Sequence, residues 1–307
     1  MTSGVLILSG PTAAGKTALA MQLAERFDAE IVGADSRQVY RKMPLGTAAP
    51  SAADQARVAH HLVGFLDPGE RYSAARFVDD ALTAIAQIQA RGRRPLVVGG
   101  TGFYLRALAG DIALSPLRDE GLRDRLAREA RVHAPDVLHA WLTALAPQRA
   151  GALAPGDRYR ITRALEIALA EREDAAGSCG PAQPAPRSLR ALGIPLRKVY
   201  LDVDPARLEE RIAARVDAML AGGFLEEAER VGGAAVAAYA VGYREALAYL
   251  AGFANRDELR AALIRTTRRY AKRQATWFRR EPDLLRIGPA HAFDQISAAA
   301  AALPGWS

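Results

Sequence analysis

The chain has a single cysteine, Cys179, among its 307 residues. That count excludes an intrachain disulfide framework and a cysteine-built zinc site. The surrounding Gly177-Ser178-Cys179-Gly180-Pro181 reads as a loop, which makes the thiol incidental. No apolar run approaches the ~20 residues needed to span a bilayer, so no membrane partner is expected. The amino-terminal segment lacks a charged leader and a cleavage pattern, and a cytoplasmic location is the expectation. Lysine is also scarce, with four in the chain: Lys16, Lys42, Lys198 and Lys272. One of them stands where a compact, flexible point charge suits better than a planar fork. With 41 basic against 34 acidic residues the net charge is +7, a balance that permits a polyanionic partner without requiring one.

What is present is densest at residues 9–18, SGPTAAGKTA. The block Gly10, Pro11, Thr12, Ala13, Ala14, Gly15, Lys16 and Thr17 has the spacing G-x-x-x-x-G-K-T of a phosphate-binding loop. The apolar run Val5-Leu6-Ile7-Leu8 precedes it and helix-forming residues follow. Such a loop wraps backbone N–H groups around a phosphate chain and aims the positive end of the next helix at it. Lys16 would reach the terminal phosphates, and the Thr17 hydroxyl would ligate Mg²⁺. The chain therefore handles a di- or triphosphate, with ATP binding among the expectations.

Strand-like and helix-like segments then alternate. Glu30-Ile31-Val32-Gly33-Ala34 ends at Asp35, a helical pattern covers 73–90, and Pro95-Leu96-Val97-Val98 runs into Gly99-Gly100-Thr101-Gly102. Val199-Tyr200-Leu201-Asp202-Val203 is a further strand, followed by Asp204 and Pro205 as cap and first residue of a helix. Between about 114 and 170 the character changes to charged helical segments (118–131, 135–145 and 158–171) with no strand between them, and 173–187 is a Gly/Pro/Ser/Ala-rich return linker. The expected fold is α/β: a P-loop NTPase-like parallel sheet with flanking helices and an all-helical insertion. Residues 1–113 and 188–307 form its core, and 114–187 form the insertion. Ligands bind beyond the carboxyl ends of such strands, so the phosphate loop, Asp35 and Thr101 should meet in one crevice.

Each group in that crevice has more than one reading. Asp35 is a metal ligand, a general base or a cap for the next segment. The glycines around Thr101 admit a substrate or merely a tight turn, and no aspartate stands there for a metal-bound water. Arg211 and Arg215 lie one helical turn apart, as a clamp on a phosphate chain or as solvated ion pairs. Residues 257–280 are less ordinary. At 100° per residue Arg265, Arg268, Arg269, Lys272, Thr276 and Arg279 form one stripe, with Leu259, Leu263, Thr266, Tyr270, Gln274 and Trp277 opposite. No acid occurs from 259 to 280. A row of five cations without interspersed acids points to a nucleic-acid backbone.

Taken in order, GPTAAGKTALA, ADSRQVYRKMPLGTAAPS, HHLVGFLDP, YSAARF, PLVVGGTGFYLRAL, GDRYRITRALEI, RIAARVDAMLAGGFLEEA, VGYREAL and RRYAKRQATWFR resemble the motifs of the tRNA dimethylallyltransferase family. The resemblance runs from Val5 to about Arg280. The phosphate loop is shared with many kinases, whereas the DSRQVY, GGTGFYL and AKRQATWFR blocks in this order are specific. The resemblance implies transfer of a dimethylallyl group from dimethylallyl diphosphate to N6 of adenosine 37, in tRNAs that read codons beginning with U. On it Asp35 corresponds to the general base and Thr101 to a group that places the target nucleotide. Lys16, Arg215 and Thr17 with Mg²⁺ correspond to the groups that draw charge from the diphosphate. Asp35, Ser36, Arg37, Gln38, Arg123, Tyr159, Arg160, Ile161, Thr162, Arg163, Tyr239, Ala240, Val241, Gly242, Tyr243 and Arg244 match segments that meet the anticodon stem-loop. A base in a stacked loop is reached only by flipping it into the crevice. The chain departs from the family pattern at Tyr159 and Tyr239, where relatives often carry glutamine, and in the short segment between Ala228 and Tyr239. A monomer is expected.

Three rival functions remain at this level. A small-molecule kinase would use the loop and Asp35 but leave the basic stripe and the insertion without a purpose. A prenyltransferase acting on free adenine nucleotides would leave the stripe idle as well. A nucleotide-switched RNA-binding module would use the loop for signalling without chemistry.

Overall fold

The computed structural model describes residues 3–112, 114, 120–175, 187–233 and 236–307. Cys179 and most of the expected linker lie outside the described residues. The chain divides into two compact units: Met1–Ala113 with Arg187–Ser307, and Leu114–Pro186.

In the first unit the order is β1 (Val5–Ser9), α1 (Lys16–Phe27), β2 (Ala29–Gly33), α2 (Pro44–Thr47), α3 (Ala52–Arg57), β3 (His60–His61), α4 (Ala74–Ala90), β4 (Arg94–Gly99) and α5 (Gly102–Ala109). The second unit holds α6 (Glu120–Val132), α7 (Pro135–Leu145), α8 (Pro147–Gly151) and α9 (Arg158–Ala175). The first unit then resumes with β5 (Leu196–Leu201), α10 (Pro205–Ala221), α11 (Phe224–Val231), α12 (Tyr243–Leu250), α13 (Arg256–Phe278), β6 (Leu284–Ile287) and α14 (Ala292–Ala301).

The six strands form one sheet in the order β3-β2-β4-β1-β5-β6, and every pairing is parallel. All five residues of β1 and of β2 are buried. That matches the continuous apolar runs of strands covered on both faces. The β4 end comes very close to the β2 end. A Cβ on Gly99 would lie 2.1 Å from the Ala34 carbonyl oxygen, so only glycine fits there. The strand ends carrying the loop, Asp35 and Thr101 are thereby gathered at one edge.

Around the sheet, Phe77 of α4 stacks on Tyr104 of α5 at 4.4 Å. Phe27 of α1 meets Trp306 at 5.5 Å, beside the buried Ile296 of α14. Trp306 Nε1 donates to the Gly4 carbonyl at 2.8 Å, clasping the start of β1. A second apolar cluster joins Val39, Tyr40 and Met43 to Phe224, Tyr243, Leu259 and Leu263, seating α10 to α13 over the loop that follows β2. The helical unit has its own core, built from Leu122, Leu126, Leu138, Leu142, Ile161 and Leu165. Their spacing of four residues within each helix is that of amphipathic helices with one buried stripe.

Candidate active site

The phosphate loop leaves β1 at Ser9, whose buried hydroxyl donates to the Val199 carbonyl at 2.8 Å. It enters α1 at Gly15, which has φ 98°. That left-handed backbone suits glycine, and no side chain caps the helix, which leaves its first N–H groups for an anion. Lys16 folds back over the loop, its Nζ donating to the carbonyls of Gly10 at 3.0 Å and Pro11 at 2.8 Å. Burial lowers the Lys16 pKa to about 8; Asp35 opposes the shift and Arg215 adds to it. A bound polyanion would offset both depressing causes.

Two arginines of α10 close on the loop from above. Arg211 donates to the Ala14 carbonyl at 3.0 Å, and Arg215 to the Thr12 hydroxyl at 2.8 Å. The one-turn spacing therefore puts both guanidinium groups on the loop itself. Burial pulls the Arg215 pKa down, against the pull of Asp35 and Tyr270.

Asp35 does two things at once. Its Oδ1 accepts the Arg37 amide hydrogen at 2.9 Å, closing a short turn, while the residue also lines the cavities described below. Thr101 stands at the start of α5 without capping it. Its Oγ1 instead accepts the Ser36 amide hydrogen at 3.0 Å, which ties the β4 end to the Asp35–Ser36 segment.

These groups surround two cavities. One, of about 320 Å³, is lined by Thr12, Ala13, Gly15, Lys16, Thr17, Asp35, Gln38, Arg211, Arg215 and Gln274 among others. The second, of about 210 Å³, is lined by Ser36, Arg37, Val216, Met219, Tyr239, Ala240, Val241, Gly242, Leu263, Thr267, Tyr270 and Arg273. Thr12, Asp35, Thr47 and Arg215 line both, so Asp35 and Arg215 form a shared wall. The first chamber is built for an anion. The second combines apolar walls with two aromatic rings and cations. Sequence reasoning missed Thr267, Tyr270 and Arg273 as walls, because Tyr270 reads as docking to the core while Thr267 and Arg273 belong to neither stripe drawn on α13. It also missed Gln274, although an amide among apolar core positions signals a partner waiting there.

Two of the glycines after β4 have a use that neither sequence reading gave. A Cβ on Gly100 would lie 2.2 Å from Gln274 Nε2, and one on Gly102 would lie 2.1 Å from the Trp277 ring. Both spaces are filled by α13, so Gly100 and Gly102 make room for a helix, while Gly99 lines the anion chamber.

The residues matched to RNA-facing segments divide into exposed and buried groups. Tyr159 and Tyr239 are 82% and 67% exposed, and Arg160 and Arg244 are also exposed. Ile161 is fully buried in the helical unit's core, so its side chain faces no RNA. Tyr243 is buried as well: its hydroxyl donates to Glu227 Oε1 at 2.7 Å, and Glu227 also holds the Leu45 and Gly46 amides at 2.9 and 2.8 Å. Its side chain supports the turn beside Thr47. Ala240 is buried and contributes to a cavity wall. Arg123 and Arg163 both pair with Glu166, the former at 3.4 Å, and Thr162 donates to the Arg158 carbonyl at 2.8 Å.

Arg265, Arg268, Arg269 and Lys272 of α13 and Arg279 at its C-cap are all exposed, while Leu259, Leu263 and Gln274 are buried. The stripe is not wholly without acids around it. Arg268 pairs with Glu209 of α10, a neighbour the one-helix projection cannot show. Among the described residues no group of three or more His, Cys, Asp or Glu could hold a metal by itself. Thr17 and Asp35 line the same chamber, and Mg²⁺ sites of this type need only one or two protein oxygens beside substrate phosphates.

A parallel sheet whose first strand feeds a Gly-Lys-Thr loop, closed over by arginines from a later helix, defines a phosphate-loop α/β protein with a second chamber beside its anion site. Comparison with known proteins narrows this class. The IPP transferase family model matches residues 38–281, and the Isopentenyl transferase model matches 3–61. A tRNA dimethylallyltransferase of Anaeromyxobacter dehalogenans (strain 2CP-C) is 45% identical over 289 residues, covering 93% of this chain and 95% of the relative. The crystal structure of the full-length tRNA isopentenylpyrophosphate transferase from Bacillus halodurans aligns with TM-score 0.67 at 34% identity, over 95% of this chain and 94% of that one. A eukaryotic dimethylallyltransferase, described as acting on tRNA, aligns with TM-score 0.75 at 27% identity, over 97% of this chain and 77% of that one. The chain belongs to the IPP transferase family.

Proposed function

We propose that this protein transfers the dimethylallyl group of dimethylallyl diphosphate to N6 of adenosine 37, in tRNAs that read codons beginning with U. The observation that carries the reading is the pair of chambers sharing Asp35 and Arg215 as a wall. The diphosphate occupies the phosphate loop, and the adenine enters the second chamber after leaving its stack. The N6–C1 bond forms as the C1–O bond breaks, the electron pair leaves with the diphosphate, and Asp35 takes the N6 proton. Lys16, Arg211 and Arg215 hold the charge that builds on the leaving group. Thr101 keeps Ser36, and with it Asp35, in place. Mg²⁺, held by Thr17 and the diphosphate's own oxygens, would supply further charge neutralisation. Nothing in this chemistry consumes ATP.

The exposed cations of α13 bind the tRNA backbone on this reading, and the protein acts as a cytoplasmic monomer. Among the described residues no helix is long and apolar enough to cross a membrane. Incubation with Mg²⁺ and radiolabelled dimethylallyl diphosphate tests the reading, with bulk tRNA, AMP or no acceptor. Label in tRNA alone is expected. Label in AMP would make it a nucleotide prenyltransferase, and ATP consumption without label transfer would make it a kinase or a switch.

A further inference from the structure

Gln274 of α13 is a buried polar side chain, 6% exposed, inside the catalytic unit. Its Oε1 accepts the Thr12 amide hydrogen at 2.8 Å, and its Nε2 donates to the Gly100 carbonyl at 3.0 Å. Thr12 belongs to the anion loop and receives Arg215 on its hydroxyl. Gly100 precedes Thr101, which holds the Ser36 amide beside Asp35. One carboxamide therefore spans from the wall that holds the leaving group to the wall that holds the base. The partners set what the bridging group must offer. A backbone N–H only donates and a carbonyl only accepts, so the bridging group needs an acceptor and a donor on one planar end. An amide provides both, an ionised carboxylate provides only the first, and a neutral carboxylic acid again provides both. The absence of a Cβ on Gly100 is what lets the amide reach this position, since a Cβ would stand 2.2 Å from Nε2.

We infer that Gln274 is a positioning residue for the transfer, setting the spacing between the diphosphate loop and the Thr101–Asp35 segment. The inference rests on the reaction proposed above. Each loop keeps its own hold on its own ligand, so losing the bridge leaves binding largely intact and loosens the alignment of C1 with N6. A misplacement of about 1 Å costs on the order of 10²-fold in rate.

The test compares wild type, Gln274→Ala and Gln274→Glu in single-turnover transfer of labelled dimethylallyl group to tRNA, from about pH 5 to about pH 8.5, a range that spans carboxyl titration. Gln274→Ala should lower the transfer rate on the order of 10–10²-fold, with KM for either substrate changed less than about threefold. Gln274→Glu should be slow at high pH and recover relative to wild type as pH falls, because protonation restores the donor to Gly100. A Gln274→Ala rate equal to wild type would overturn the inference. So would a Gln274→Glu to wild-type ratio that is flat with pH, or a loss confined to KM. Wild type that labels no tRNA removes the proposed reaction and this inference together. Wild type that labels tRNA beside a flat ratio removes the inference alone.

Discussion

Arg215 donates to the hydroxyl of Thr12 at 2.8 Å across 203 residues of sequence, so the anion loop contains a side chain that no loop motif describes. Arg215 also acts electrostatically on Lys16. Removing either cation changes what the other faces. Lys16→Ala and Arg215→Ala should each weaken diphosphate binding, and the double variant should depart from the sum by more than about 0.5 kcal/mol. Titration of dimethylallyl diphosphate into the four proteins of the cycle reads this. Losses that add to within about 0.3 kcal/mol would separate the two cations.

Asp35 both closes a turn and lines the shared wall, and two substitutions separate these roles. Asp35→Asn keeps the acceptor for the Arg37 amide and removes the base, whereas Asp35→Ala removes both. Each should lower kcat on the order of 10²–10⁴-fold with little change in the diphosphate KM. An active Asp35→Asn beside an inactive Asp35→Ala would leave Asp35 as a cap only.

For the α13 stripe, the pairing of Arg268 with Glu209 makes Arg265 and Lys272 the sharper choice. Replacing both with alanine should weaken tRNA binding and make the log–log salt dependence shallower by about 0.7–0.9 for each phosphate no longer neutralised. Diphosphate affinity should be unchanged. An unaltered slope, measured by tRNA binding at several salt concentrations, would return these cations to a solvated face.

Glu30 is buried at the start of the sheet, bonded by Arg91 Nη2 at 2.6 Å and by the His61 ring at 2.7 Å. Burial alone would raise its pKa, but these partners outweigh it and hold the carboxyl below its usual value of 4.5. A depressed carboxylate stabilises the fold above its unfolded pKa, and that contribution is lost as pH falls through the folded value. Glu30→Gln should therefore cost about 1–3 kcal/mol at neutral pH. The gap to wild type should shrink below about pH 4. Denaturant melts at several pH values measure this, and a gap that grows in acid would reverse the assignment.

Gly102→Ala probes the seat of α13. A methyl there would meet the Trp277 ring at 2.1 Å and should destabilise by about 1–3 kcal/mol. A thermal melt indistinguishable from wild type would show that the ring moves aside freely.

The loop, the strands β1, β2, β4 and β5, and the inward and outward faces of α13 were legible because each is written in local pattern: an apolar run, a glycine spacing, a period of 3.6. What escaped has no local pattern. β3 is two residues long, and β6 alternates no apolar face, with only Ile287 of its four residues buried. The purpose of Gly100 and Gly102 depends on Gln274 and Trp277, more than 170 residues away, as does the seating of Thr12. Tyr270 and Arg273 line a chamber whose other walls include 35–37, 215–219 and 239–242. Pairings across such distances are decided by packing, which periodicity does not encode.

The clasp of Trp306 on Gly4, 302 residues apart, has a consequence for how the protein is born. The apolar β1 and the anion loop leave a ribosome well before β5, Arg215, Gln274 and Trp306 do. At about 5–20 residues per second, roughly 13–52 s separate the emergence of Thr12 from that of Gln274, its partner 262 residues on. Until β5 follows, β1 keeps at least one edge unpaired, and until α10 and α13 follow the loop has no lid. The donor site is therefore closed only when α10 and α13 have been made, long after its own loop.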